Sequence, residues 1–386
     1  MAEKLAYING SGIYLYTTNI MKEILYMLNI LIVVPRFAEY LGQYYIFPLG
    51  LAYISSSLKA NGFNVISVNL NHCSGSVESI LDEIIISSKI DVVCTGGLSI
   101  HYHKIKDIIF ASKKANSGAV VIVGGGLLSS EPEIIMNALD AMYGVIGEGE
   151  ETIVELVRDL QQKTSVNSVA GIIFRDDSGK LVRTSDRLPI ADLDSVVFPD
   201  YEGLGYLDYL KNILPSDERE LAIVDNPRPI SIISSRSCPY SCTFCYHPLG
   251  KKYRQRSLDN FFDELDNYIN TYACNIVFVL DELFSVNKER IIEFCNRIKR
   301  YNVKWIVQLK VNDVSKEILE IMRDAGCYVI SYGIESGSNK ILTSMRKPIC
   351  VDDILCCLSI TYDAMIGVQG NFLFGDRSET VDTFIE

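Results

Sequence analysis

The sequence predicts an α/β protein in two units: a doubly wound, Rossmann-like domain with a parallel sheet, then a partial, C-terminally truncated (β/α)6 TIM-like barrel. Three observations carry this. The chain has 386 residues, about the length of two domains. Apolar, β-branched runs alternate with helical patterns across 28–164 and again across 229–386. Between them, 185–229 is weakly patterned and carries Pro189, Pro199, Pro215, Pro227 and Pro229.

Residues 1–27 stand outside the pattern and read as an extension or leader. In the first unit, 28–164, strands are expected at 29–34 (NILIVV), 64–69 (NVISVN), 91–97 (DVVCTGG), 119–125 (AVVIVGG) and 142–147 (MYGVIG). Helices fall near 49–61, 77–88, 103–116, 131–139 and 150–163. Runs that are apolar at every position need cover on both faces, which parallel strands between helices provide. Ligands of such sheets bind at the carboxyl ends of the strands. Residues 171–184 read as a hairpin around an Asp-Ser-Gly turn, and 165–228 as hairpin and linker. In the second unit, strands are expected at 230–235, 275–280, 304–309, 327–333 and 366–374, with helices near 257–271, 287–300, 315–325, 338–346 and 351–363. The final SETVDTFIE begins a further helix, so the barrel reads as incomplete, with an open sheet edge.

The net charge is −12, and no Lys/Arg block is present beyond GKKYRQR (250–256), which reads as a solvated loop. Nucleic acid and anionic membrane surfaces are therefore poor partners. Lys22 and Glu23 interrupt the apolar segment 20–34, so no membrane span is expected. Eleven cysteines, an odd number, without a secretory signal place the chain in the cytoplasm with reduced thiols. No Walker loop or nucleophile elbow occurs, and four histidines are too few for a His-rich metal site.

The densest chemistry is SSRSCPYSCTFCYHP (234–248), which holds Cys238, Cys242 and Cys245. A structural zinc site takes four ligands, usually as two pairs, and only His247 is nearby. The compartment disfavours a disulfide. C-x3-C-x2-C in a loop after a barrel's first strand suits a 4Fe-4S cluster with one iron left open.

SRSCPYSCTFC resembles the cluster motif of the radical S-adenosylmethionine (SAM) superfamily. The resemblance implies that Cys238, Cys242 and Cys245 hold the cluster and that the open iron chelates SAM. Reductive cleavage of SAM would then give a deoxyadenosyl radical. It makes Phe244 the aromatic residue whose backbone meets adenine. YGIESG, with Gly333, Glu335, Ser336 and Gly337, resembles the SAM-binding segment, with Glu335 on the amino group or ribose. Asp281, after the second barrel strand, joins the cofactor-binding set. A helix-start carboxylate is the alternative reading for it and for Glu282. MRKP (345–348) and FLFGDRSET (372–380) resemble later family segments, although Asp376-Arg377 replaces a common Leu-Pro.

FPLGLAYISSSLKANGFNV (47–65), VIVGGGLLSSEPEIIM (121–136) and YGVIGEGEET (143–152) resemble the cobalamin-binding domain that precedes many radical SAM cores. This implies corrin contacts from Ser99, Gly124, Gly125, Gly126, Gly147 and Glu148, with His101 standing where the family has Leu. His72 in HCSG (72–75) follows the second strand and has Leu70 before it, so it reads as a loop histidine and not a cobalt ligand. Whether His101 or His103 faces the corrin stays open. The whole resemblance implies an enzyme that uses the cluster, SAM and cobalamin to methylate an unactivated carbon of a small-molecule, lipid or natural-product substrate. Electrons would come from an external donor such as flavodoxin or ferredoxin. The alternatives are radical cyclisation, oxidation or rearrangement on the same cofactors, or a non-catalytic electron-transfer or sensor protein.

Overall fold

The computed structural model of the protein describes residues 7–9, 12–14, 27–38, 40–41, 43–247, 250–284 and 287–386. Within the expected leader it describes only β1 (Tyr7–Asn9) and β2 (Gly12–Tyr14), an antiparallel pair, and Met27. The rest of that leader lies outside the described residues.

The first unit follows the alternating pattern: β3 (Asn29–Val34), α1 (Leu49–Ala60), β4 (Asn64–Asn69), α2 (Val77–Ser87), β5 (Val92–Gly96), α3 (Tyr102–Ala115), β6 (Val120–Gly124), α4 (Gly126–Ser130), α5 (Pro132–Ala138), β7 (Tyr143–Val145) and α6 (Glu150–Gln162). Side chains alternate across the strands. Leu31, Val33, Val93, Val121 and Val123 pack on one face with residues of α2 and α3. Ile30, Ile32, Val92, Cys94 and Ile122 pack on the other with residues of α1 and α6. α4 was not expected. Gly125, at φ +84°, turns the chain sharply out of β6, so a helix starts where the sequence reads as a loop.

The expected hairpin, β8 (Ile172–Arg175) with β9 (Leu181–Arg183), is part of this sheet. β8 pairs antiparallel with β7 through Tyr143↔Phe174 and Gly144↔Ile173, giving the order β4-β3-β5-β6-β7-β8-β9. The hairpin covers the edge of β7 and buries Ile172, Ile173 and Phe174.

The proline-rich stretch expected as a linker is not a slack tether. It contains α7 (Tyr206–Asn212), and it buries Tyr201, Tyr206 and Tyr209 against Phe47 of the first unit. The hydroxyls of Tyr201 and Tyr206 donate to the carbonyls of Ser231 and Pro229, which lets these polar aromatics enter a core.

The second unit comprises β10 (Pro229–Ile232), β11 (Ser235–Arg236), β12 (Arg254–Gln255), α8 (Leu258–Tyr272), β13 (Ile276–Val279), α9 (Lys288–Ile298), β14 (Lys304–Leu309), α10 (Lys316–Asp324), β15 (Cys327–Glu335), α11 (Asn339–Ser344), α12 (Val351–Asp363), β16 (Gly367–Phe372) and α13 (Val381–Ile385). Its main sheet is parallel, in the order β10-β13-β14-β15-β16. α8 shows why these helices form. Ser257 caps its start by accepting from Asn260 N, and Leu258, Phe261, Phe262, Leu265, Tyr268 and Tyr272 supply one apolar face. Trp305 is buried, with its indole N–H on the carbonyl of Ala325. One core cluster runs from Val34, Phe47 and Ala52 through the tyrosines into this second sheet.

Candidate functional site

Loop 237–253 leaves the carboxyl end of β10, and the β11/β12 ladder closes its base through Ser235↔Gln255 and Arg236↔Arg254. Cys238 is half-buried, Cys242 buried and Cys245 exposed. Cys245 N donates to Cys242 O at 3.3 Å, and Thr243 N donates to Met345 O at 2.9 Å, which pins the loop to the MRKP segment. Although Cys245 is exposed as a residue, partial desolvation of its thiol pushes it up to about 11, with the neighbouring Cys242 adding to it and Lys347 opposing it. Burial also raises the Cys238 thiol. All described cysteines are free thiols. Among the described residues, no three ligand side chains are gathered tightly enough for a single ion. His247, two residues beyond Cys245, has both ring nitrogens buried without a hydrogen bond, and Nδ1 lies 3.9 Å from Glu282 Oε2.

The end of β15 meets this loop. A bulge between Gly333 and Glu335 puts Glu335 at φ +65°, a strained backbone for a side chain of this kind. Glu335 Oε1 receives Lys347 Nζ at 2.9 Å, and that ammonium lies 5.9 Å from the centroid of the Phe244 ring. A Cβ on Gly333 would fall 2.5 Å from Glu335 Oε1 and 2.6 Å from Lys347 Nζ. Glycine here makes room for the ion pair. The Gly333→Ala variant should therefore stay folded, because both crowded atoms are side-chain tips, yet lose about tenfold in SAM affinity by equilibrium dialysis. Ser336 Oγ accepts from Ser338 N at 3.1 Å, and Gly337 packs against the backbone of Glu386. Both shape the turn after the strand.

Asp281 departs from its expected cofactor role. Its buried carboxylate accepts from Ser234 N at 2.7 Å, Ser235 N at 3.0 Å and the Ser234 hydroxyl, so it braces the approach to the cluster loop. Burial raises its pKa from 3.8 to about 6, while those donors pull the other way. Because the folded pKa is the higher one, this contribution to stability is complete below about pH 4. It is lost as pH rises through 6, a change of about 3 kcal/mol. The Asp281→Asn variant should flatten that part of a pH series of denaturant midpoints. An unchanged slope would show that another group titrates.

In the first unit, the carboxyl ends of β5, β6 and β7 form a glycine-edged shelf. Gly96 and Gly124 touch backbone to backbone: a Cβ on Gly96 would sit 2.7 Å from Gly124 O. Ser99 and Gly125 lie exposed on the shelf, beside Leu98 and Ile100, which are 60 % and 84 % exposed. Gly126 is half-buried there, and Gly147 N donates to Ser129 Oγ at 2.9 Å. Tyr246, the residue after Cys245, donates its hydroxyl to Gly126 O at 3.3 Å. The cluster loop and the shelf therefore touch. His101 turns onto its own backbone, with Nδ1 accepting from Leu98 N at 3.2 Å, while His103 is exposed. His72 Nε2 sits 2.8 Å from Tyr45 Oη, against Gly205 of the connecting segment.

Residues 42–157 match the B12 binding domain family, and residues 232–386 match the radical SAM superfamily. The chain belongs to the B12-binding radical SAM enzymes. It is 26 % identical over 343 residues to an uncharacterized methyltransferase of Pyrococcus horikoshii, covering 86 % of this chain and 70 % of that protein. It is 27 % identical over 352 residues to the anaerobic magnesium-protoporphyrin IX monomethyl ester cyclase of Rubrivivax gelatinosus, covering 88 % of this chain and 60 % of that one. The chain thus spans well short of these relatives' full lengths. Among solved structures, the radical SAM methyltransferase TsrM of Kitasatospora setae, with cobalamin and a 4Fe-4S cluster bound, superposes with a TM-score of 0.75. It is 18 % identical, with 92 % of this chain and 71 % of that chain covered. OxsB, with aqua-cobalamin and SAM bound, gives 0.77 at 18 % identity, covering 94 % and 51 %. Both share the fold.

The B12 binding and radical SAM matches agree with the cobalamin and SAM that the sequence leads one to expect. Besides Asp281, two residues read differently in three dimensions. Lys347 was legible only as part of MRKP, and its place opposite Glu335 becomes visible once the chain folds. Glu148, expected to contact the corrin, instead spends its buried carboxylate on Arg254, Arg236 and the backbone N–H of Ile190. Among the described residues, no helix is long and apolar enough to cross a membrane.

Proposed function

We propose that the protein methylates an unactivated carbon of a small-molecule, lipid or natural-product substrate held between the cluster loop and the glycine shelf. The observation that supports this is the contact of Tyr246 with Gly126, which brings the loop of the three cysteines against the glycine shelf. With the groups bound, the cluster supplies the electron that cleaves SAM, and cobalamin supplies the methyl group. Cys238, Cys242 and Cys245 hold the cluster. Glu335 and Lys347 present one carboxylate and one ammonium, a charge pattern complementary to the zwitterionic end of SAM. Phe244 packs alongside. Ser99, Gly124, Gly125, Gly126 and Gly147 line the shelf, where small residues let a flat macrocycle approach the backbone, and Leu98 and Ile100 give it an apolar rim. The reductant is an external one-electron donor such as flavodoxin or ferredoxin, in a cytoplasm that keeps the thiols reduced.

The likeness to the tetrapyrrole cyclases favours a second reading, radical cyclisation or oxidation on the same cofactors. The test is anaerobic reconstitution with iron, sulfide, cobalamin and methyl-labelled SAM in a small-molecule extract. Methylation requires 5′-deoxyadenosine together with label in a product. Deoxyadenosine with no label transferred selects cyclisation or rearrangement. No deoxyadenosine at all would overturn both.

A further inference from the structure

We propose that Glu148 is a positioning residue that fixes the register between the two cofactor sites by clamping both ends of the cluster loop to the first unit. The inference rests on the functional reading above for its purpose and on the following geometry for its substance. Glu148 lies just beyond the carboxyl end of β7, next to the shelf. Its Oε1 accepts from Arg236 Nη1 at 3.1 Å and from Arg254 Nη1 at 2.9 Å. Its Oε2 accepts from Arg254 Nη1 at 3.0 Å and from Ile190 N at 2.6 Å. Arg236 reaches on to Glu150 Oε1 at 2.5 Å, and Arg254 to Ile190 O at 2.6 Å.

Arg236 and Arg254 are direct partners across the β11/β12 ladder, one residue before the cluster loop and one after it. A single carboxylate therefore grips the loop where it starts and where it ends. The four side chains are 4 to 11 % exposed and sum to zero charge, so salt screens the group little. A buried ion group of this kind adds little net stability over an apolar one, but its hydrogen bonds are directional and admit one arrangement. An apolar contact would let the loop slide on the shelf. Radical chemistry across two cofactors needs a fixed gap between them, which a directional clamp provides.

Two readouts test the clamp. The first is hydrogen exchange on the cofactor-free protein. The Glu148→Gln variant should speed exchange of amides in 236–254 by about tenfold or more while β3 and β5 stay as protected as in the parent. The second is pulsed electron paramagnetic resonance on the loaded protein, which reads the dipolar coupling between the reduced cluster and cob(II)alamin. The parent should give one narrow coupling. The variant, with both signals at full intensity, should give a broad one. Where Glu148→Gln does not accumulate, Arg236→Lys takes its place, because it keeps the charge but cannot serve Glu148 and Glu150 together. Unchanged exchange and unchanged coupling would overturn the clamp. A parent protein lacking either paramagnet would overturn the cofactor reading instead, and exchange in the cofactor-free protein would still decide for or against the clamp.

Discussion

The Cys242→Ala variant is expected to lose the visible absorbance of the iron–sulfur cluster and all SAM cleavage while keeping its corrin absorbance. Cys242 is the buried member of the three thiols. A cubane held by Cys238 and Cys245 alone would have two irons without a side-chain ligand, and reductant or solvent would strip it. The glycine shelf is built from the ends of β5, β6 and β7, and the Tyr246 hydroxyl meets it from this loop through a hydrogen bond between partly exposed groups. Cobalamin binding should therefore survive. Two comparisons separate ligation from general damage. Cys274 is buried beside Tyr206, so Cys274→Ala should cost about 1 kcal/mol of stability and leave the iron content alone. Cys356 is exposed on α12, and its replacement should change neither. Anaerobic iron analysis and chromatography of 5′-deoxyadenosine read the outcome. Full iron in Cys242→Ala would remove the proposed chemistry at its source.

The legible parts of the sequence were those in which a local pattern decides the structure. β3 is apolar at five successive positions because helices cover both its faces, and the sequence shows that pattern directly. The loop 237–253 stands out because its three cysteines lie within eight residues. What stayed hidden depended on partners far away along the chain. Glu148 sits in a glycine-rich segment that reads as a corrin-facing turn, yet its partner Arg254 lies 106 residues on. Asp281 meets Ser234 across 47 residues, which no spacing rule reveals. The proline-rich stretch was misleading for a different reason. Outside the short α7 it lacks a helical or alternating period, and two of its tyrosines, Tyr201 and Tyr206, are buried with hydroxyls on carbonyls of the next unit. Periodicity detects faces of regular elements, and an irregular segment has no face to detect.

That same segment carries the largest expected effect on stability. Tyr201 is 1 % exposed. Its ring stacks on Phe47 at 4.7 Å and 11° and stands edge-on to Tyr206 at 4.7 Å and Tyr268 at 4.8 Å. Phe47 belongs to the first unit and Tyr268 to α8 of the second, so Tyr201 fills the space between them. The Tyr201→Ala variant should lower stability by about 4 kcal/mol, the range for emptying a large aromatic site that cannot collapse. Tyr201→Phe keeps the stacking and only leaves the Ser231 carbonyl without its donor, at a cost of about 1–2 kcal/mol. Tyr362, 82 % exposed on α12, serves as the control, and its alanine variant should stay within about 0.5 kcal/mol of the parent. The measurement is the denaturant midpoint by circular dichroism. Because one core cluster joins Val34, Phe47 and residues of α1 in the first unit to the second sheet, the two units of the parent should unfold together. Tyr201→Ala should split that unfolding in two, because the hole opens at the seam and not within either sheet. If Tyr201→Ala instead shifted the midpoint no more than the Tyr362 control, the connecting segment would not carry the packing between the units. The Glu148 clamp and the Tyr246 contact would then carry more of the hold between the shelf and the cluster loop.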